Sequence, residues 1–488
     1  MLIGSLSVML LSVAPPLMVA LRRQNSVVYP PQISKFEVLM LSLSLMVNRM
    51  FFPNNAFLVG VPLVHLSLTA GSKHNPALAD MYMREALAVA DSVNPKKAKY
   101  VDVNNALVLA AELTKIGRFR ECRQLVDKTL KLAERMTDPK SVKLHTQLLL
   151  VNAFACWSLG ELDDCEAYAR EALNVGGESM DAVLSGERFH CYNFLMLTTL
   201  ERAMYDKAAE MVITARQYAE SIKGDRKGLF LTITQTNEAA VCLWKGEYGK
   251  AEELLKAVFH KVKEESGPVL GENARMRGRA AVLLAVLYAD CGRIAEANEY
   301  CDYLNKLLAK PGELLMKVIF LNDLAYAMHL MSRDGEAEQY LHASNEMLKD
   351  YIPDDHYLRA TLYNNLAEVS FALAKYEAAK NYFQKAVQIR SQVFNESHPY
   401  RVRLRLTQAL IRSQEGEVEE ALQDVEYVLA QRKELYPESH LEMARAYDEQ
   451  ARIFKQIGRE SDAEASNSRA QEIRKLIRLQ LSQPLTVT

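Results

Sequence analysis

The sequence of 488 residues has little glycine and proline and almost no net charge. Its 20 glycines and 15 prolines are too few for an all-β chain, which needs many turns. The 59 basic and 61 acidic residues nearly cancel, which excludes a nucleic-acid binder that depends on a basic surplus. These shortages indicate a helical chain, and its length exceeds that of a single compact core.

The common signatures of catalysis and metal binding are also missing from the sequence. It contains no GxxxxGK[ST], GxGxxG, HExxH or GxSxG pattern. Its seven cysteines are odd in number and include no CxxC pair, and no two of its ten histidines have metal-ligand spacing on a helix face. We therefore expect no enzymatic activity, no metal and no cofactor.

An internal repeat of about 42 residues runs through most of the chain. Equivalent turns occur at Gly117, Gly160, Ala203, Gly246, Gly292, Ser332, Ala374, Gly416 and Gly458. Alanine stands seven residues before eight of these nine turns, and alanine or cysteine stands five residues after every one of them. Two helices approach closely only where small side chains meet at their crossing. Each unit is therefore predicted to be a helix, a turn that permits positive φ, and a second helix.

The clearest unit reads YNNLA at residues 363–367, AKYEAA at 374–379 and YFQKA at 382–386. This pattern closely resembles the tetratricopeptide repeat (TPR), whose usual unit has 34 residues. The longer units resemble those of the kinesin-light-chain branch over about residues 360–445. The resemblance implies an all-α, right-handed α-α superhelix of about ten helix pairs over residues 71–478, with a degenerate first unit near residues 60–95.

Residues 1–70 lie outside the repeat pattern, and residues 479–488 form a short polar tail. Residues 2–21 are mostly apolar and long enough to span a membrane, although two prolines interrupt them. Three interpretations stay open: a membrane anchor, a region that caps the first repeat, and a start site placed too far upstream. With one span, the basic residues that follow it place the repeats in the cytoplasm, whereas two spans place them outside.

The first helix of each pair is expected to line a concave groove that binds a protein or peptide segment. Counted back from each turn, the candidate groove residues are Trp157, Asn193, Trp244, Asn322, Tyr326, Asn364, Asn365, Glu368, Phe371, Arg403 and Arg445. Tryptophan is common in binding hot spots, and an amide both donates and accepts hydrogen bonds. By resemblance, Asn364 and Asn365 match the asparagine pair in the groove of many peptide-binding TPRs. The arginine column, which also includes Arg279, favours an acidic segment.

Each of these candidates also has a purely structural interpretation. The tryptophans are compatible with packing against the next repeat, the amides with solvation at the surface, and the arginines with a solvated face. The lysine and asparagine of carboxylate-clamp TPRs are absent from the equivalent columns. His398 and His440 precede new repeats and are predicted to be turn or cap residues. The function predicted is a non-enzymatic interaction scaffold, and the alternative is a sensing module whose superhelix changes pitch on binding.

Overall fold

The computed structural model describes residues 76–91, 100–115, 118–136, 138–180, 183–224, 226–262, 272–310, 314–349, 357–392, 394 and 396–481, with eight further residues between 42 and 67. Within these ranges the chain forms nineteen α-helices and no strand. The helices are α1 (Pro76–Asp91), α2 (Tyr100–Lys115), α3 (Phe119–Ala133), α4 (Pro139–Leu159), α5 (Leu162–Asn174), α6 (Ser185–Glu201), α7 (Tyr205–Ser221), α8 (Lys227–Lys245), α9 (Tyr248–Lys261), α10 (Glu272–Asp290), α11 (Ile294–Leu308), α12 (Leu314–Leu330), α13 (Asp334–Lys349), α14 (Tyr357–Ala372), α15 (Tyr376–Ser391), α16 (Pro399–Glu415), α17 (Val418–Leu435), α18 (Leu441–Gln456) and α19 (Glu460–Gln480).

The helices from α2 to α19 form nine antiparallel pairs, and each pair packs against the next. Helix α1 occupies the place of the degenerate first unit, so the described part of the chain holds nine complete pairs of the ten expected. The all-α superhelical repeat predicted from the sequence is confirmed. Helix α19 continues to Gln480, two residues beyond the boundary expected at residue 478.

The turns within the pairs adopt the backbone conformation that the repeat predicted. All eight described turn positions have positive φ, from 58° at Ala374 to 90° at Gly416. Alanine at Ala203 and Ala374, and serine at Ser332, hold this left-handed conformation although they carry a Cβ atom. The ninth position, Gly117, lies outside the described residues.

Small side chains occupy the helix crossings, as predicted. Ala367 in α14 and Ala379 in α15 are completely buried, and so are their counterparts in most other pairs. Cys122 and Cys165 replace alanine at this position and are equally buried. Burial raises the pKa of both thiols well above its ordinary value, which suits a packing role.

His398 and His440 are the N-caps of α16 and α18, which confirms their predicted role. In each case the imidazole Nδ1 accepts a hydrogen bond from the backbone N–H two residues further on. The distances are 3.3 Å from Tyr400 and 3.1 Å from Glu442. The side chain thereby satisfies one of the free N–H groups of the first helical turn.

The same two histidines join distant parts of the superhelix. Nε2–H of His398 donates to the carbonyl oxygen of Glu201, and Nε2–H of His440 donates to that of Leu243 at 3.2 Å. Both contacts span 197 residues, which corresponds to between four and five helix pairs. Successive turns of the superhelix are therefore in direct contact.

An aromatic stack fills part of the interface between these superhelical turns. The rings of Trp244, Tyr205 and Tyr436 form a three-membered cluster, in which the centroids of Tyr205 and Trp244 are 5.4 Å apart, those of Trp244 and Tyr436 6.2 Å, and those of Tyr205 and Tyr436 5.9 Å. Tyr436 in turn stacks on His440 at 4.3 Å. Nearby, the backbone N–H of Leu441 donates to the Tyr248 hydroxyl at 2.9 Å. The interface thus combines aromatic packing with hydrogen bonds and ion pairs.

The expectations for the chain ends rest on residues that are mostly outside the described ranges. The apolar stretch at residues 2–21 lies entirely outside them, as do residues 482–488. In the part of the chain that the structure describes, no helix combines the length and the apolar character that a membrane span requires.

Candidate functional site

A polar cavity of about 300 Å³ lies on the inner side of the superhelix, between the first helices of four consecutive pairs. This volume is at the lower end of the range for ligand sites. Four residues predicted from the sequence lie in its wall: Tyr326, Glu368, Arg403 and Arg445. The other lining residues are His329, Leu330, Ser332, Asp334, Ala372, Leu406, Thr407, Leu410, Arg432, Glu442, Asp448, Glu449, Arg452 and Arg474.

The cavity wall carries five arginines and five carboxylates, and most of them pair with one another. Arg403 contacts Glu368 at 2.6 Å, and Arg432 contacts Glu442 at 2.6 Å. Burial alone would raise the pKa of Glu368, but the Arg403 guanidinium and its hydrogen bonds lower it to about 2. Glu368 is therefore ionised throughout the physiological pH range.

Tyr326 of α12 lies beneath two of these cations. The guanidinium of Arg403 is 4.7 Å from the centroid of its ring, and that of Arg445 is 5.4 Å away. Arg445 also pairs with the buried carboxylate of Asp290, which belongs to the preceding superhelical turn. The two arginines are thus held by an aromatic face and by carboxylates of the same chain.

Arg452 is the most exposed arginine of the cavity wall. Its side chain is 47% exposed and contacts Glu449 at 3.3 Å, whereas the side chain of Arg432 is 3% exposed. Burial raises the pKa of Glu449. A partner that enters the cavity therefore meets Arg452 as its most accessible cation.

The arginine column does not present free charges to the groove, which corrects the expectation of an acidic partner bound by that column. Arg403 is buried and the side chain of Arg445 is 11% exposed, and both are neutralised within the chain, by Glu368 and Asp290 respectively. A buried ion pair already satisfies its charges, so an acidic segment would have to displace one partner.

The candidate asparagines are buried and hydrogen-bonded to other side chains of the chain, so they are not solvated at the surface. Asn365 donates to Asn322 at 3.1 Å, and Asn364 donates to Glu368 at 2.8 Å. Asn193 accepts from Asn237 at 3.0 Å. They connect successive first helices and position Glu368.

The expectation that both tryptophans face an open groove is wrong. Trp157 is 1% exposed and Trp244 is 4% exposed. Trp244 packs against the next superhelical turn through Tyr436, which is a contact between residues far apart in the sequence. Phe371 is also buried, in an edge contact with Tyr376 at 5.3 Å.

The repeat pattern does not predict the residues that second helices and the cap region contribute to the cavity. Arg432 comes from α17 and Arg474 from α19, whereas the groove pattern considered first helices alone. Glu442 lies two residues after the His440 cap. A search for charged residues at the buried positions of second helices would have found Arg432.

One group of potential metal ligands occurs among the described residues. Cys156, Glu161 and Asp164 place ligand atoms within 4.8 Å of one another. The guanidinium of Arg123 bonds both carboxylates, and burial raises the pKa of the Cys156 thiol. The group is therefore an arginine–carboxylate contact between helix pairs, and it provides no argument for a metal site.

Comparison with known proteins places this architecture among repeat proteins. Residues 358–426 match the family model of the tetratricopeptide repeat, and no curated protein matches the chain. The chain is similar to a Rap protein complexed with Competence and Sporulation Factor, at 13% identity over 78% of this chain and 99% of that one, with a TM-score of 0.51.

Two further solved structures are similar at lower TM-scores. The apo form of the quorum sensor NprR from B. thuringiensis is 13% identical over 84% of this chain and 97% of that one, with a TM-score of 0.33. A putative kinesin light chain from Podosopora anserina with TPR-like repeats is 19% identical over 43% of this chain and 99% of that one, with a TM-score of 0.30. At these identities the likeness is one of fold.

Proposed function

Because the chain is a tetratricopeptide-repeat protein, we propose that it is a non-enzymatic scaffold that binds a short segment of a protein at the polar cavity. The single observation that supports this site most strongly is that candidate residues from four repeats come together in one cavity. Tyr326, Glu368, Arg403 and Arg445 were selected from four different repeats by their position before the turn, and all four line one cavity.

The chemistry of the cavity favours a polar segment that carries both charges. Its arginines and carboxylates are fixed by mutual pairing, so they act as an ordered set of donors and acceptors. A volume of about 300 Å³ accommodates a few side chains. The rest of the partner would lie along the concave face.

The Rap protein that shares this fold is complexed with Competence and Sporulation Factor. This supports the proposal at the level of architecture, since a superhelix of this kind accommodates a bound partner. The choice of partner depends on the side chains in the cavity, and function is carried by the site rather than by the fold.

The alternative function is a sensor whose superhelix changes pitch when a ligand binds. The observation that favours it is the interface between superhelical turns. Asp290 lies in one superhelical turn and Arg445 lies in the next. Arg445 also lines the cavity. A ligand that engages Arg445 would act directly on a contact between turns. Small-angle scattering with and without the bound segment distinguishes a static scaffold from a sensor.

Selection from a random peptide library tests the proposed function. The wild-type chain is used to enrich peptides, whose affinities are then measured for Arg452→Gln and for the matched variant Arg469→Gln. Arg469 lies on the outer helix α19 and pairs with Glu472 at 2.7 Å, as Arg452 pairs with Glu449. We expect Arg452→Gln to weaken binding about tenfold, the loss of one charge-assisted hydrogen bond.

Arg469→Gln should leave the affinity unchanged, because the side chain lies away from the cavity. Equal affinity of both variants for every enriched peptide would place the binding surface elsewhere. A selection that enriches no peptide would contradict the proposed function itself.

A further inference from the structure

A hydrogen bond from an arginine to an asparagine recurs between successive first helices. Between α8 and α10, Nη2–H of Arg279 donates to the side-chain oxygen of Asn237 at 2.7 Å. Between α14 and α16, Nη2–H of Arg403 donates to that of Asn365 at 3.2 Å. Each asparagine lies nine residues before the turn of its own pair, and each arginine lies thirteen residues before the turn of the next pair. The position nine residues before the turn can therefore accept a hydrogen bond from an arginine of the next first helix.

Glu449 of α18 occupies this acceptor position, because it stands nine residues before Gly458. Among the described residues α18 is the last first helix, so no arginine of a following first helix reaches Glu449 there. A carboxylate is a stronger acceptor for a guanidinium than the amides of Asn237 and Asn365, because both groups then carry a charge.

Glu449 lines the polar cavity, and its side chain is 19% exposed, so a group in the cavity can reach it. The guanidinium of Arg452 lies 3.3 Å from its Oε2, but the two atoms are not aligned as a hydrogen bond. The side chain of Arg452 is 47% exposed, and an ion pair exposed to this degree contributes little. Burial raises the pKa of Glu449 in spite of this neighbour. The carboxylate of Glu449 is therefore only weakly compensated within the chain.

The other four arginines of the cavity wall do not compensate Glu449, because each pairs with a different carboxylate. The pairs are Arg403 with Glu368, Arg432 with Glu442, Arg445 with Asp290, and Arg474 with Asp448. A cation that enters the cavity can thus approach Glu449 without breaking any of these four pairs.

We infer that Glu449 binds an arginine side chain of the partner segment, in the place that Arg403 takes beside Asn365. The inference deepens the proposed function and rests on it, since Glu449 belongs to the cavity at which that function places the partner. Arginine fits this position better than lysine does. Its planar guanidinium donates two parallel hydrogen bonds to the two oxygens of a carboxylate, whereas the ammonium group of lysine is a point charge.

N-acetylargininamide tests Glu449 without knowledge of the partner. The melting temperature of the full chain is measured with this compound and with N-acetylcitrullinamide, which has nearly the same shape and no charge, at equal ionic strength and pH 7. A ligand that binds the folded state raises the melting temperature. We expect the arginine compound to raise it above the value with the citrulline compound, and by more in the wild type than in Glu449→Gln.

Glu449→Gln keeps the shape of the side chain and removes a partly buried charge, so the variant should fold as the wild type does. Glu472→Gln is the matched control. Glu472 pairs with Arg469, three residues away on the outer helix α19, as Glu449 pairs with Arg452. This control should keep the wild-type response. An identical response of the wild type and Glu449→Gln would overturn the inference.

Peptides enriched by the wild-type chain provide a second test. Each arginine of an enriched peptide is replaced in turn by citrulline and by lysine. One replacement by citrulline should weaken binding to the wild type about tenfold and have little effect on binding to Glu449→Gln. A lysine form that binds as tightly as the arginine form would contradict the choice of arginine.

The outcome of the selection separates this inference from the proposed function. If peptides bind and no replacement of arginine weakens them, the inference fails while the proposed function stands. If no peptide is enriched, the proposed function fails, and the melting temperatures alone decide whether Glu449 binds a guanidinium.

Discussion

At the scale of single residues, burial decides which candidates can contact a partner. Tyr326, Glu368, Arg403 and Arg445 line one cavity, and their spacing from the turn, which is a local property, made that grouping predictable from the sequence. It could not reveal that Trp244 is covered by Tyr436, since this contact depends on the arrangement of helices 192 residues apart. Residue type alone therefore gave the wrong assignment for the tryptophans.

Trp244→Ala should strongly destabilise the fold, because the indole is buried against the rings of Tyr205 and Tyr436. Loss of a buried large aromatic side chain costs about 3–5 kcal/mol. The measurement is the urea concentration at the midpoint of unfolding. The control Ile213→Ala, at a side chain that is 61% exposed, should change stability by less than about 0.5 kcal/mol. Equal effects of the two variants would contradict the burial of Trp244.

At the scale of helices, the repeat pattern predicted nearly everything that depends on neighbours in sequence. Turn positions, the small residues at crossings and the caps at His398 and His440 were all evident, because each reflects a local steric or hydrogen-bonding requirement. The hydrogen bonds between asparagines of successive first helices were not predicted. These bonds form because the asparagines lie on the side of a first helix that contacts the next first helix. The repeat pattern instead predicted that this side faces the groove.

Ala379→Arg tests the helix crossing in the α14–α15 pair. Ala379 is completely buried, so an arginine there overpacks the crossing by about 1–3 kcal/mol and adds a buried charge. We expect several adjacent repeats to unfold together, observed as a loss of helical circular dichroism at 222 nm. Its neighbour in α15, Ala378, is partly exposed, and Ala378→Arg should leave the signal close to that of wild type. An unaltered spectrum for Ala379→Arg would refute the packing.

At the scale of the whole molecule, the contact between superhelical turns sets the shape of the concave face. No pattern in the sequence predicts this contact. The pitch of a superhelix is the sum of small rotations between neighbouring repeats, and a slight change in each separates the turns. Arg445 belongs both to the cavity and to the interface between superhelical turns. The geometry of the site therefore depends on the contact between these turns.

Two glycines at equivalent positions of two second helices allow a test of the contact between superhelical turns. Gly249 and Gly335 are each the second residue of a second helix, in α9 and α13. A Cβ on Gly249 would lie 2.7 Å from the backbone oxygen of Gln480 in the other superhelical turn, whereas one on Gly335 meets nothing within 4 Å. Alanine in place of helical glycine normally stabilises by up to about 1 kcal/mol.

We therefore expect Gly335→Ala to raise the melting temperature slightly and Gly249→Ala to lower it. Small-angle scattering should also show a larger radius of gyration for Gly249→Ala, because the two turns are pushed apart. A stabilising effect of both substitutions would indicate that the turns do not touch at Gln480.

The interface should also weaken in acid. Burial lowers the pKa of His398 and of His440 to about 4, below the ordinary value of 6.5. The unfolded chain then binds more protons than the folded chain between these values, so stability is complete above about pH 6.5 and falls as the pH drops towards 4. Each imidazole contributes about 3 kcal/mol to this loss.

His440→Asn isolates this effect, because asparagine retains an acceptor for the helix cap and does not titrate. The free energy of unfolding, measured from pH 7 to pH 4.5, should fall less steeply in the variant than in the wild type. Identical slopes would show that His440 does not remain neutral in the folded chain.

Photo-crosslinking of a bound peptide shows whether the polar cavity on the inner side of the superhelix binds the partner. A photoreactive residue is placed at Leu330 in the cavity wall and, in a second protein, at the exposed Glu426 of the outer helix α17. We expect an enriched peptide to crosslink to position 330 and not to position 426. Crosslinking at position 426, with none at position 330, would contradict it.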